Sequence, residues 1–454
     1  MATLGLSMIV KNEEHTLRAC LTSVRDLVSQ IVIADTGSTD GTVGIAREFG
    51  ATVLTVPWEH HFAKARNAAL APMTTDWVLV LDADEELDAA AKPLLPALLA
   101  DPDIDGGYVV TVRDYMPEKT SYFLEHAGQP VSSPPERAKT AACYHDQQNI
   151  RLFRRNPRVY FFGRLHELVE YRISLLGLKY VPSDLVIHHF GYFRGLEVRA
   201  RKAVLYRALG QLKLKEEADN PFAWFELGLL EYQTFQNRDV ALSYFEQCVK
   251  LHPPFTRGWL FMAMIHLDLG RPFDALLALE QVVARDEATG YRERLKGDAY
   301  YNLGQITQAR SAYQNALSLG EDGPVVQSRL GLTEVRMGDF EAGFARLRRA
   351  VEEAPHQAEL HDRLVKALLV AKDLSGAAEA AERFAGCLRH PRVFLRAASI
   401  RAQLKQWERS ERLLEDALKL FPDSRELRGA WTEVERHRSG ASQQPDGSAN
   451  QAAG

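Results

Sequence analysis

Two aspartates, Asp82 and Asp84, close a strongly apolar stretch at residues 77–81 and are followed by two glutamates. Clustered carboxylates repel one another unless a cation neutralises them. Carboxylate oxygens are hard ligands, which favour Mg²⁺ or Mn²⁺. Such an ion could bridge a diphosphate and stabilise its charge as it leaves. The alternative is a solvated helix N-terminus, where the helix dipole favours acidic side chains.

A second polar cluster, Asp-Thr-Gly-Ser-Thr-Asp-Gly-Thr, occupies residues 35–42. Glycine permits a tight turn and a close approach of the backbone to a ligand. The carboxylate of Asp35 could accept hydrogen bonds from a base or a ribose. The serine, threonine and aspartate side chains are also typical caps of a following helix, and we expect Ser38 or Asp40 to cap whatever the role of Asp35.

A third candidate is the sequence Phe-Ala-Lys-Ala-Arg-Asn at residues 62–67. Lys64 and Arg66 could bind phosphate oxygens, and Asn67 could bind a polar edge of a ligand. Taken alone, the stretch is equally typical of a solvated helix face.

Strand-like and helix-like patterns alternate through the first third of the chain. This alternation predicts an α/β domain with a mostly parallel sheet covered by helices on both faces. Ligands in such sheets bind outside the carboxyl ends of the strands, so the polar residues that follow the strands are the candidate site. Residues 113–150 are less regular and are expected to form a loop or hairpin over that site. Strands are expected at residues 4–10, 30–34, 51–56, 77–81, 149–153, 159–162 and 185–189, and helices at 13–28, 42–49 and 62–70.

Four motifs in order resemble the family 2 glycosyltransferases of GT-A fold, over roughly residues 4–195. They are Leu-Ser-Met-Ile-Val-Lys-Asn-Glu-Glu at 6–14, the 35–40 turn, the 62–67 stretch and Leu-Asp-Ala-Asp-Glu at 81–85. Three later motifs are similar to those of the subgroup that joins this domain to tetratricopeptide repeats. They are Arg-Leu-Phe-Arg at 151–154, Gly-Arg-Leu-His-Glu at 163–167 and His-His-Phe-Gly-Tyr at 188–192.

The resemblance implies an inverting enzyme that uses a nucleotide-diphosphate sugar, UDP-linked, and a divalent metal, Mg²⁺ or Mn²⁺. It implies that the metal is held by Asp84 with Asp82, and that His189 is a further ligand or a diphosphate contact. Many members have two adjacent acids where this chain has Asp35 and Thr36, so either position could contact the base. The nucleotide-sugar-binding residues implied are Lys11, Asn12, Asp35, Thr36, Arg66, Asn67 and Asp82.

Inverting transfer needs one carboxylate that deprotonates the attacking acceptor. Glu167, which follows His166, is our candidate for this base. The alternative is a structural carboxylate that orients His166 or an arginine. His188 is expected to be a core residue or a support for a ligand, and Arg151 could pair with phosphate or with a nearby acid.

Composition narrows the remaining function classes. The formal net charge of -5 provides no basic field for nucleic acid or an anionic membrane. No stretch approaches the roughly 18 apolar residues of a membrane span, and residues 1–10 lack the features of a signal peptide. The four cysteines are far apart and form neither a zinc nor a disulfide pattern, and Cys20 suits a core position. These observations predict a cytoplasmic protein.

A repeat follows the first domain. Small residues recur every 34 positions, at Ala275, Ala309, Gly343 and Ala377. This period resembles that of tetratricopeptide repeats, in which stacked helix pairs bury a shared core. We expect a GT-A domain at 1–194, a helical connector at 195–220, six repeats at 221–424 and a disordered tail at 439–454. The concave surface of such repeats suits a peptide, protein or saccharide acceptor, or a second copy of the chain.

Two other functions compete with a glycosyltransferase. An inactive transferase-like domain could act as a scaffold that binds proteins through the repeats, but such a domain would be expected to have lost its acids at positions 82, 84 and 167. A nucleotidyltransferase would carry a glycine-rich basic loop after the first strand, where residues 11–14 are Lys-Asn-Glu-Glu.

Overall fold

A computed structural model describes residues 2–117, 135–141, 143–193, 195–282, 289–355 and 357–440. The chain divides into two compact units, Met1–Ala241 and Leu242–Gly454. Within the described ranges, no helix has both the length and the apolar character needed to cross a membrane. The cysteines are free thiols, and Cys20 is buried in the core as its position in an apolar pattern predicted.

The first unit contains one eight-stranded sheet in the order β3-β2-β1-β4-β7-β6-β8-β5. The pairs β1/β2, β2/β3, β1/β4 and β6/β8 are parallel, which confirms the predicted mostly parallel α/β domain. The pairs β4/β7, β6/β7 and β5/β8 are antiparallel. The strands are β1 (Leu4–Val10), β2 (Gln30–Asp35), β3 (Thr52–Thr55), β4 (Trp77–Val80), β5 (Glu85–Leu87), β6 (Gly107–Met116), β7 (Cys143–Arg154) and β8 (Tyr180–His189).

Helices cover both faces of this sheet. Successive residues of a strand point to opposite faces, so Leu79 of β4 packs in one apolar core with Leu21, whereas Val78 and Val80 pack in another core with Ala69. Burial on both faces explains why the strands consist of nearly continuous apolar residues. The helices are α1 (Leu17–Val24), α2 (Thr42–Glu48), α3 (Phe62–Leu70), α4 (Leu95–Ala100), α5 (Glu170–Leu175), α6 (Leu196–Glu216) and α7 (Pro221–Gln233).

The prediction of a strand at residues 159–162 is wrong. The side chain of Asn67 makes hydrogen bonds to both backbone polar groups of Phe161. Its Nδ2 donates to the carbonyl at 2.9 Å, and its Oδ1 accepts from the N–H at 2.8 Å. Phe162 forms only an isolated bridge with Leu168. Because a side chain satisfies the polar groups of this backbone, the segment does not need a ladder partner.

The region predicted as irregular, residues 113–150, is partly a regular hairpin. β6 and β7 pair antiparallel outwards to Met116 and Cys143, so residues 113–116 and 143–150 belong to strands. The alternating buried positions Tyr108, Val110 and Val112 were a signal for β6 in the sequence. Residues 118–134 of the expected loop lie outside the described residues.

The second unit is a series of antiparallel helix pairs. The periodic small residues Ala275, Ala309, Gly343 and Ala377 each lie at the fourth residue of the second helix of a pair, and the three alanines have no exposed surface. α8 (Arg238–Leu251) crosses the boundary between the units. The helices that follow are α9 (Thr256–Asp268), α10 (Pro272–Glu280), α11 (Thr289–Asn302), α12 (Ile306–Ser318), α13 (Pro324–Arg336), α14 (Phe340–Glu353), α15 (Ala358–Val370), α16 (Leu374–Cys387), α17 (Pro391–Gln403), α18 (Trp407–Leu420) and α19 (Arg425–Gly440).

Candidate functional site

The carboxyl ends of β1, β2 and β4 meet at one edge of the sheet because the three strands are parallel neighbours. This edge brings together the polar residues that follow each strand, which the sequence placed at three separate points of the chain. They include Asn12 after β1, Asp35 at the end of β2 and Asp82 after β4.

Asp35 and Thr36 make their hydrogen bonds within the protein. The carboxylate of Asp35, only 5% exposed, accepts from the N–H of Ser38 at 3.1 Å. The hydroxyl of Thr36 donates to the carbonyl of Val10 at 3.1 Å and so ties the end of β2 to β1. Lys11 follows Val10 directly and is exposed.

Asn12 joins the end of β1 to the turn after β2. Its N–H donates to the hydroxyl of Ser38 at 2.9 Å, and its side-chain oxygen accepts from the N–H of Thr39 at 2.8 Å. The carboxylate of Asp40 accepts from the N–H of Thr42, the first residue of α2, at 3.0 Å. The N-cap position of α2 is Gly41, which has no side-chain cap, so the prediction that Ser38 or Asp40 is the cap is wrong. These bonds hold the two segments together as one wall of the site.

Arg66 connects two acids that are distant in sequence. Its Nε donates to Glu167 at 2.6 Å and its Nη2 donates to Asp82 at 2.6 Å. The side chains of Arg66 and Glu167 are each only 8% exposed. Within the described part of the chain, Nη1 of Arg66 is buried without a hydrogen-bond partner. Glu167 therefore lies against an arginine, as the alternative reading of this residue anticipated.

The acidic segment at residues 82–86 is balanced by arginines. Burial opposes ionisation of Asp82, but Arg66 and Arg151 hold the pKa of this carboxyl well below its usual range. Glu85 is buried and accepts from the N–H of Asp82 at 2.8 Å and from Arg151 at 3.1 Å. Burial and the nearby charge of Asp82 raise the pKa of Glu85. The segment continues into strand β5, so the reading as a helix N-terminus is wrong.

Asp84 meets His189 because β5 pairs with the end of β8, where Glu85 lies opposite His189. Nε2 of His189 lies 3.6 Å from Oδ1 of Asp84. Nδ1 of His189 is hydrogen-bonded to Asp114 of β6. Burial would lower the pKa of His189, but its hydrogen bond to Asp114 and the nearby carboxylate of Asp84 raise it to about 11.

A carboxylate and an imidazole that face each other match the ligand preferences of a divalent cation such as Mn²⁺. A Cβ at Gly191 would lie 2.6 Å from Nε2 of His189 and 3.2 Å from a carboxylate oxygen of Asp84, so glycine keeps the space beside both donors free. The hydrogen bond of Asp114 to the other ring nitrogen is the support that metal-binding histidines usually have. No group of three or more His, Cys, Asp or Glu side chains among the described residues is arranged to hold a metal. A cation held by Asp84 and His189 alone would need its other ligands from outside the protein.

His188 points away from this pair. It is 1% exposed, and its ring nitrogens lie 3.0 Å from the hydroxyl of Tyr115 and 3.2 Å from Asp88. Burial lowers the pKa of His188. These contacts describe a core histidine, as expected.

Asp114, Gly191 and Tyr206 also lie at or near the site, although none of the three was predicted from the sequence. Gly191 stands in the His-His-Phe-Gly-Tyr motif and could have been found there, whereas the contact of Asp114 depends on the register of β6 and β8. The ring of Tyr206 in α6 packs edge-on against His166, at 6.1 Å between centroids. Leu165 and His166, which precede Glu167 in the chain, line a cavity. Its other lining residues are Tyr206, Gly210, Ala223, Glu226, Leu227 and Leu230.

Comparisons with known proteins agree with these features. Residues 6–162 match the family model described as Glycosyl transferase family 2. Three models of tetratricopeptide repeats match residues 259–334, 328–388 and 392–424.

Similar proteins are named either for a glycosyltransferase or for tetratricopeptide repeats. A TPR repeat-containing protein of Synechococcus elongatus is 32% identical over 402 residues, which cover 77% of this chain and 92% of that protein. The SPbeta prophage-derived glycosyltransferase SunS of Bacillus subtilis is 25% identical over 56% of this chain, which spans about half (54%) of its length. A tetratricopeptide repeat protein from Parabacteroides merdae of known structure is 13% identical, with a TM-score of 0.43, over 52% of this chain and 94% of that one.

Proposed function

Because this chain belongs to the family 2 glycosyltransferases that are joined to tetratricopeptide repeats, we propose that it transfers a sugar with inversion from a UDP-linked donor to an acceptor. The observation that carries the proposal is the meeting of Asp84 and His189 at the carboxyl edge of the sheet, beside the Arg66 bridge between Asp82 and Glu167. Open α/β sheets bind their ligands at this edge.

The nucleotide of the donor is proposed to bind the wall formed by the segments after β1 and β2. Lys11 is exposed there and supplies positive charge for the diphosphate. Asn12, Asp35 and Thr36 fix the shape of the wall through the hydrogen bonds described above. Asn67 acts on the site by positioning the backbone of Phe161, since both polar atoms of its amide bind that residue.

Glu167 is proposed as the base. The acceptor O–H attacks the anomeric carbon of the sugar, its proton passes to the Glu167 carboxylate, and the bond from that carbon to the diphosphate oxygen breaks. The nucleoside diphosphate leaves with the electron pair of that bond. Arg66 holds Glu167 in place at 2.6 Å, and because it also binds Asp82, its single charge is shared between two carboxylates.

Asp84 and His189 would hold a divalent cation, Mg²⁺ or Mn²⁺. When bound, this ion supplies Lewis-acid stabilisation of the negative charge on the diphosphate. Asp114 keeps the imidazole of His189 turned towards Asp84.

The repeats are proposed to bind one of two ligands. The first is the acceptor, which is a peptide, a protein or a saccharide, and the second is another copy of the chain. Stacked helical repeats form extended surfaces suited to such ligands. We place the reaction in the cytoplasm, where nucleotide sugars are soluble donors.

Hydrolysis of UDP-sugars by the purified chain, with Mn²⁺ and with a chelator, tests the proposal. We expect metal-dependent release of UDP from at least one donor, and a loss of about 100-fold or more in Asp84→Asn. Asp103→Asn, at an exposed aspartate of the first unit, is the matched control and should retain activity. If no UDP-sugar is bound or hydrolysed, the chain is instead the protein-binding scaffold considered above.

A further inference from the structure

Four arginines occupy the same position in four successive helix pairs of the second unit. Each is the sixth residue of the first helix of its pair. The preceding first helix, α9, has Phe261 at this position, so the row begins with α11. The four residues are Arg294, Arg329, Arg363 and Arg396.

Three of these side chains reach back to the first helix of the preceding pair. The row is therefore continuous across three boundaries between repeats, along the surface formed by the first helices. The contacts are those of Arg329 with Asp298, of Arg363 with Ser328 at 3.0 Å, and of Arg396 with Asp362.

Together with Lys366, which pairs with Asp362, the row carries one more positive charge than the carboxylates that pair with it. Arg294 and Arg329 share the carboxylate of Asp298, which also accepts from the hydroxyl of Tyr313 at 2.7 Å. Among the described residues, Nε of Arg329 is buried without a hydrogen-bond partner. Five cations face four carboxylates in these ion pairs: Arg294, Arg329, Arg363, Lys366 and Arg396 against Asp298, Glu321, Glu359 and Asp362.

The ionisation of the arginines agrees with this excess. Burial, together with the nearby charges of Arg363 and Arg294, lowers the pKa of Arg329 well below its usual value. Burial also lowers the pKa of Arg396. An added carboxylate would stabilise both cations, and the planar guanidinium suits two-point binding of a carboxylate.

The spacing of the row indicates the form of the ligand. Packed helices lie about 8–10 Å apart, and an extended polypeptide in the polyproline II conformation advances about 3.1 Å per residue with three residues per turn. Carboxylates at every third residue of such a chain lie on one side of it, about 9 Å apart, and would therefore meet successive arginines. Phosphates of a nucleic-acid strand lie closer together than this.

We propose that the row Arg294, Arg329, Arg363 and Arg396 binds an extended acidic polypeptide with Asp or Glu at every third position. This inference deepens the acceptor-binding role of the repeats and rests on the proposed function for the identity of that polypeptide as acceptor, although the binding itself needs no sugar donor.

Fluorescence anisotropy with the full-length chain tests the inference. The probe is a labelled twelve-residue peptide with four aspartates at every third position among glycine and serine, and the comparison peptide has the same composition with the aspartates adjacent. We expect the spaced peptide to bind about tenfold more tightly than the comparison peptide. This difference corresponds to one charged hydrogen bond that the comparison peptide does not make. Equal affinity, or tighter binding of single-stranded DNA, would overturn the inference.

Arg396→Gln is the main variant because Arg396, at 30% exposure, is the least buried of the four side chains. We expect it to weaken binding of the spaced peptide about tenfold. Arg349→Gln, at a side chain of α14 that is 79% exposed, is the control and should bind as the unaltered chain does. Undiminished binding by a folded Arg396→Gln would show that the row is only a network of internal ion pairs. Circular dichroism shows whether Arg396→Gln folds. If it does not, the same comparison is made with Arg396→Lys, which keeps the positive charge but not the planar guanidinium. This variant should still bind the spaced peptide several-fold more weakly than the unaltered chain does.

Donor hydrolysis, measured on the same samples, separates this inference from the proposed function. A chain that hydrolyses a UDP-sugar and binds neither peptide contradicts only the inference. A chain that binds the spaced peptide and hydrolyses no donor contradicts only the proposed function.

Discussion

Arg66 and Glu167, which are 101 positions apart in the chain, are joined by a 2.6 Å hydrogen bond from Nε to a carboxylate oxygen. Both side chains are nearly inaccessible to solvent. The same guanidinium binds Asp82, so α3, the end of β4 and the segment before α5 converge on one cation. A buried charge that loses its partner is costly, whereas an intact pair contributes little net stability.

Removing this cation is expected to destabilise the first unit. Arg66→Ala leaves Glu167 buried without its partner, and we expect the free energy of unfolding to fall by about 3–5 kcal/mol, measured by urea denaturation. The double variant Arg66→Ala with Glu167→Gln should recover part of this loss, because glutamine carries no charge. Strictly additive effects of the two substitutions would contradict the coupling between these residues.

The hydrogen bond that the carboxylate of Asp114 accepts from His189 provides a test of the metal site. Asp114→Asn removes the carboxylate that orients the imidazole, and we expect the affinity for Mn²⁺ to fall by about 10–100-fold. Isothermal titration calorimetry with Mn²⁺ on the full-length chain measures this. Asp146→Asn is the matched control, because Asp146 lies on the adjacent strand and pairs with Arg113. Equal losses in the two variants would exclude a specific role for Asp114.

The elements around the site could be predicted from the sequence because their signals are local. An apolar run followed by polar residues predicted β1, β2 and β4 and the edge at which they end. The 34-residue spacing of small residues predicted the helix pairs, because small side chains are required where two helices cross closely. These features depend on neighbouring residues in the chain and not on the final arrangement of the sheet.

The contacts that complete the site could not be predicted in this way. Asp114 reaches His189 only because β6 pairs with β8 in one particular register. Asn67 was predicted to bind ligand but uses its amide on the backbone of Phe161, which also removed a predicted strand. Such contacts join residues far apart in sequence, and neither composition nor periodicity records which partner a side chain will meet.

The ion pairs of Glu382 predict how acid affects the second unit. Burial opposes ionisation of Glu382, but hydrogen bonds from Arg401 and Arg409 outweigh it and lower the pKa of this carboxyl. A carboxyl whose pKa is lower in the folded chain stabilises that chain at pH values above its pKa in the unfolded chain, about 4.3. This stabilisation is lost as the pH falls through the pKa of the folded chain.

We therefore expect the difference in melting temperature between the unaltered chain and Glu382→Gln to be largest near neutral pH. It should shrink steadily as the pH falls below about 4.3. Thermal melts followed by circular dichroism across this range measure the difference. Glu408→Gln, at an exposed glutamate of α18, controls for the loss of a surface charge. A difference for Glu382→Gln that grows towards low pH would contradict the assignment.

Gly343 tests how closely α13 and α14 must approach. A Cβ at this position would lie 2.6 Å from the side chain of Val335 and 2.7 Å from the carbonyl oxygen of Gly331, and backbone cannot yield as a flexible side chain does. We expect Gly343→Ala to lower the free energy of unfolding by about 1–3 kcal/mol, through overpacking. Gly386→Ala, in α16, meets no described atom within 4 Å and should instead stabilise by about 0.5–1 kcal/mol, because alanine favours the helix. Urea denaturation measures the change in the free energy of unfolding for both variants. The two changes have opposite signs if close helix packing requires glycine at 343, and the same sign if only helix propensity matters.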